Sequence, residues 1–98
     1  MDILLENGIN KETIEKIKNN NDEMLVSNIE LESDNIILNL NYLKKIGIRR
    51  MDDLLIQRLD LFFIPNKKLK EEIERFNIEV LVNLINQDFN NLELIDIF

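Results

Sequence analysis

Tyr42-Leu43-Lys44-Lys45-Ile46-Gly47-Ile48-Arg49-Arg50-Met51-Asp52-Asp53-Leu54-Leu55 holds the clearest structural signal in the chain. Its apolar side chains keep helical spacing on both sides of a glycine. Leu43 and Ile46 close a stripe begun by Ile36 and Leu40 after Asp34. Met51, Leu54, Leu55 and Leu59 follow at i, i+3, i+4 and i+8. Both sets carry the 3.6-residue period of an amphipathic helix. A glycine just past a last helical turn supplies the left-handed cap that residues with a Cβ avoid. Ile48 then reads as a hydrophobic latch, so the stretch predicts helix, stop, helix.

The same reading extends outward. Gly8-Ile9 repeats the junction, and Asn10 is placed to cap a helix bearing Ile14 and Ile17. Asp22-Glu23 opens a short helix, where carboxylates suit the helix dipole. Val26 to Glu32 alternates mildly and reads as a connector. Beyond Pro65-Asn66, Leu69, Ile73 and Phe76 form another stripe, and Leu81, Leu84 and Ile85 the next. These segments predict about six to eight short helices, with no long alternating run to compete. With 98 residues, 45% of them hydrophobic, the chain holds one modest core. The expectation is an all-α fold in a single domain, 1–98.

An internal repeat sharpens it. Shifted by 30 residues, Leu43, Ile46, Ile48, Met51, Leu54, Leu55, Leu59 and Phe62 fall on Ile73, Phe76, Ile78, Leu81, Leu84, Ile85, Phe89 and Leu92. Gly47 falls on Asn77, another residue that tolerates left-handed backbone. A weaker third copy starts at Gly8-Ile9. Periods of this size mark helical solenoids, here about two and a half helix-turn-helix units.

The segments Gly8-Ile9-Asn10-Lys11-Glu12-Thr13-Ile14 through Met24-Leu25, and Tyr42 to Ile48 running on through Leu54 to Phe63, resemble the helical repeat of mitochondrial transcription termination factor (mTERF)-like proteins. That resemblance implies an array of helices whose basic concave face holds nucleic acid. The chain departs from the pattern in four ways. The repeat's proline is Asp22 in one copy and Asp60 in the other, and the second copy is one residue shorter between Gly47 and Asp60. The repeats are few, and the net charge is −7.

Missing residue types bound the chemistry. There is no Cys and no His, which removes the usual zinc ligands, thiol nucleophiles and imidazole bases. Hydroxyls are confined to Thr13, Ser27, Ser33 and Tyr42, and Gly8 and Gly47 are too far apart for a phosphate loop. The acid groups Glu12 with Glu15, Asp52 with Asp53, and Glu71, Glu72 with Glu74 sit among bases and read as solvated helix faces. The chain reads as non-enzymatic, with no catalytic residue, cofactor or metal. No apolar run approaches the ~20 residues of a membrane helix. With no secretory pattern and no cysteine, the expected location is cytoplasmic.

Charge is unevenly spread. Residues 1–34 carry a net −6, residues 35–76 a net +3 and residues 77–98 a net −4. Lys44, Lys45, Arg49, Arg50 and Arg58, with Lys67, Lys68 and Lys70 beyond Pro65, are candidates for an anion or acidic-partner contact. Arg49 and Arg50 stand out because they open a helix, where the dipole disfavours cations. The tail residues Leu92, Leu94, Ile95, Ile97 and Phe98 either pack on the core or form an apolar interface with a partner or a second copy. Two functional readings follow. The first is a protein-interaction module, an acidic inhibitor or adaptor acting on a nucleic-acid-binding protein. The second is nucleic-acid binding through the basic centre, which the acidic net charge disfavours.

Overall fold

In the computed structural model, which describes residues 2–95, the chain forms eight α-helices and one 3-10 helix, with no strand among the described residues. The helices are α1 (Asp2–Glu6), α2 (Lys11–Asn20), α3 (Glu23–Leu31), α4 (Ser33–Ile46), α5 (Met51–Gln57), α6 (Leu59–Phe63), α7 (Asn66–Ile73) and α8 (Ile78–Gln87). The 3-10 helix, Phe89–Leu94, follows them. The fold is all-α.

Both glycine junctions close as the sequence implies. Gly8 sits at φ +90° and Gly47 at φ +110°. At each, the isoleucine after the glycine reaches back: Ile9 N donates to Leu4 O at 3.0 Å and Ile48 N to Leu43 O at 3.0 Å. The glycine amides donate one position inward, to Leu5 O and Lys44 O, both at 3.1 Å. This is the paired-bond stop that satisfies carbonyls a helix end leaves open.

Four local expectations are corrected. Asn77 is not a left-handed cap: it is extended at φ −68° and ψ 109°, and its side chain accepts from Val80 N. Asparagine serves an N-cap at least as well as a left-handed stop, and here it opens α8. Because α7 ends at Ile73, Phe76 leaves the expected buried stripe and is 38% exposed. Val26 to Glu32 is no connector but lies largely within α3. The Asp22 side chain accepts from Leu25 N at 2.8 Å, and this cap outweighs a weak alternation. The run from Met51 to Phe62 is broken at Arg58, whose φ of −135° and ψ of 57° separate α5 from α6.

Helix α4 is central and packs against α3, α6, α7 and α8, while α2 lies on α5. Leu40, Leu54, Leu55, Leu61, Phe62 and Leu69 are fully buried in one core. The radius of gyration is 13.0 Å, against about 13 Å for a compact chain of this size.

Asparagine ties much of this together. Asn35 and Asn39, one turn apart on α4, both donate to Phe62 O and Ile64 O, the carbonyls where α6 gives way to α7. Their own oxygens accept from Asn66, Asn35 from its backbone N–H and Asn39 from its side chain. Asn39 is fully buried, so this network must be satisfied from within. A second tie recurs after each glycine. Asn10 N donates to Asp52 Oδ1 at 2.9 Å, and Arg49 N donates to Asn86 Oδ1 at 2.9 Å. Asp52 also accepts from Thr13 Oγ1 at 2.8 Å, so it joins α2 to α5 rather than lying on a solvated face.

Candidate interaction surfaces

The cations of the central segment are drawn to separate parts of the chain. Lys44 Nζ donates to Asn7 O at 2.9 Å. The Arg50 guanidinium lies 4.6 Å from the centroid of the Phe89 ring, and its Nη2 donates to Asn86 O at 2.9 Å. Arg50 reaches this position from a left-handed backbone, φ +57°, unusual for a residue with a side chain. Arg58 is 18% exposed and forks onto Asp60 through Nε and Nη2, while its Nη1 meets Glu93 Oε1 at 3.2 Å. The bond to Asp60 raises its pKa above the ordinary guanidinium value, against the opposing effect of burial. Arg58 was expected to face an outside anion; it is engaged by the chain's own carboxylates. Lys44, Lys45, Arg49 and Arg50 are all exposed.

Lys45 belongs to a seam between α4 and α7. A depression of about 200 Å³ there is lined by Leu38, Asn41, Tyr42, Lys45, Asn66 and Lys70, with no carboxylate. Lys70 Nζ stands 5.5 Å from the Tyr42 ring centroid. The Tyr42 hydroxyl is buried without a hydrogen-bond partner. Desolvation, then the nearby Glu74 charge, pushes its pKa above 10.0.

The C-terminal apolar residues divide. Leu92 and Ile95 are each 1% exposed and pack in the chain's own core, so they are not available as an interface. Leu94 is 52% exposed. The 3-10 period of three explains the split: Phe89, Leu92 and Ile95 share one face, and Leu94 falls off it. Ile97 and Phe98 lie outside the described residues. Leu94 lines a shallow apolar groove of about 120 Å³ with Phe76, Val80, Leu81, Leu84 and Asn77.

Helix α3, whose mild alternation suggests a connector, carries a further apolar surface. Of Met24, Leu25, Val26, Ile29 and Leu31, only Ile29 is buried. Met24 and Leu31 are 77% and 82% exposed. Two depressions of about 410 Å³ each have Phe63 of α6 in their lining. One continues over Leu25, Ile56 and Leu59, the other over Leu31 and Pro65.

Among the described residues no group of three His, Cys, Asp or Glu side chains is placed to hold a metal ion, and no helix is long and apolar enough to cross a membrane. Glu72 pairs with Arg75 at 3.1 Å, a helix-surface ion pair. No protein-family model, curated protein or solved structure matches the chain.

Proposed function

We propose that the chain is a non-enzymatic, cytoplasmic protein-interaction module, an acidic inhibitor or adaptor that engages a basic surface such as that of a nucleic-acid-binding protein. The observation that carries this reading is the run of exposed carboxylates over α2, α3 and the start of α4, on a chain of net charge −7. Arg58 is paired with the chain's own carboxylates, while Glu12, Glu15, Glu23, Glu32 and Asp34 are exposed. At that net charge the surface presented to a partner is acidic as a whole. A field of that sign attracts basic proteins and repels phosphate backbones. The exposed apolar side chains supply the desolvated contacts that charge alone does not.

The test is affinity capture with the immobilised chain at low and high salt, beside sedimentation of the chain alone. A stoichiometric protein partner, lost as salt rises, supports the reading. Recovery of none, with a monodisperse monomer in solution, overturns it.

One observation favours a second reading, nucleic-acid binding of the kind the mTERF-like resemblance implies. The α4–α7 seam places Lys45 and Lys70 together with no acid between them, and Arg49 is exposed nearby in sequence. Its signature is salt-dependent affinity for duplex or single strands that falls on changing Lys45, Arg49 and Lys70 to Glu. Absence of binding at low salt removes it.

A further inference from the structure

We infer that the trough between α3 and α6 is a docking site for an amphipathic helical segment of another protein, apolar on one face and edged with Lys or Arg. This rests on the protein-binding reading above and names the surface and the partner chemistry. Its lining carries Leu25, Ile56, Leu59 and Phe63 in one depression, beside Asn21 and Gln57, and Leu31, Phe63 and Pro65 in the other, beside Asn35. An α-helix that is apolar on several sides belongs inside a protein or against a partner. Helix α3 is only partly covered: Ile29 is buried and Leu25 and Val26 half-buried, while Met24 and Leu31 are exposed.

The edges decide the occupant. Glu32 and Asp34 border one depression; Asp60 borders the other but is already held by Arg58, and no Lys or Arg lines either. A second copy of the chain would bring the same carboxylates against themselves in a symmetric contact, on a molecule already at −7. A basic-edged guest meets them with opposite charge. The nine residues of α3 rise about 13 Å, room for two to three turns of a guest helix with anchors at i, i+3 or i+4, and i+7.

The probe is a fluorescent peptide of about 18 residues with leucines at i, i+3, i+4 and i+7 and lysines on the flanks. Two controls accompany it: the same peptide with Glu for Lys, and a scrambled lysine peptide of equal charge. Anisotropy should show saturable binding of the first and at least about tenfold weaker binding of both controls. Leu31→Ser, and separately Glu32→Lys with Asp34→Lys, should each weaken binding by roughly fivefold or more. All three positions are exposed, and circular dichroism checks that each variant keeps its helices. Leu94→Ser, in the other groove, should leave binding unchanged. Equal binding of all three peptides, or wild-type binding by the α3 and rim variants, overturns the inference. So does a captured partner that binds Leu31→Ser as well as wild type, and that result leaves the interaction-module reading standing.

Discussion

Replacing Asn39 by Ala removes three hydrogen bonds from a fully buried site: two donated to Phe62 O and Ile64 O, at 3.0 and 2.7 Å, and one accepted from Asn66 Nδ2 at 3.0 Å. At a net ~1 kcal/mol for each bond, the upper figure is about 3 kcal/mol, with a small further term for the vacated space. One feature moderates the loss. Asn35 Nδ2 still donates to both carbonyls, at 3.3 and 2.9 Å, so neither is left without a side-chain donor. The expected destabilisation is therefore about 2–3 kcal/mol, or roughly 10–20 °C in a domain of this size. Asn35→Ala alone, at a half-buried position, should cost about 1 kcal/mol. Together the two changes strip both carbonyls of their side-chain donors, and the double variant should lose about 1–2 kcal/mol more than the sum. Urea denaturation followed by far-ultraviolet circular dichroism measures all three, with a constant m-value as the check on two-state behaviour. The reasoning is refuted if Asn39→Ala falls within about 0.5 kcal/mol of wild type, or if the two changes add without coupling.

Three further perturbations test the local readings. Arg50→Gly relieves a left-handed backbone worth about 1 kcal/mol while losing the contacts with Phe89 and Asn86, so it should melt close to wild type, whereas Arg50→Ala should be less stable by about 1–2 kcal/mol. Gly47→Ala should cost about 1–2 kcal/mol and at least as much as Gly8→Ala. Both force φ beyond +90°, or close to it, on a residue with a Cβ, and the new Cβ at position 47 meets Val82 Cγ1 at 3.4 Å. Tyr42→Phe removes a buried, unpartnered hydroxyl and should be neutral or stabilising by up to about 1 kcal/mol in a chemical melt. Because the folded pKa of Tyr42 is raised, its contribution is fully present below the unfolded value near 10.0 and is lost as pH rises from there through the folded pKa. As Tyr42 is the sole tyrosine and there is no tryptophan, absorbance of the phenolate reports this directly. The variant should lack that part of the alkaline decline.

The helix ends at Gly8 and Gly47 were legible because their cause is local. A glycine, an isoleucine and the preceding stripe lie within six residues, and backbone sterics do the rest. Asn77 misled because asparagine serves two conformations, and the choice between them depends on where α7 stops. Helix α3 was hidden for a related reason. Its apolar residues are not sorted to one face, since most of them do not reach the core, so the burial signal that periodicity measures is absent. The fate of the cations was out of reach for a different reason. Arg58 and Glu93 are 35 residues apart, and Arg50 and Asn86 36 apart, so their meeting is a product of packing and not of spacing. The same holds for the asparagine network, whose partners lie 23 to 31 positions away. What the sequence did convey there was only a high asparagine content, without a sign of which side chains would turn inward.

The ties that follow each glycine make two backbone amides into reporters. Asn10 and Arg49 are exposed residues outside any helix, whose N–H groups would trade protons with solvent freely. Each is instead held by a side chain from a later helix, Asp52 in α5 and Asn86 in α8. The exchange rate of the Asn10 amide therefore reports how often its bond to Asp52 opens, and that of the Arg49 amide how often its bond to Asn86 opens. Two single protons follow the α2–α5 tie and the tie to α8 separately, without any label being introduced.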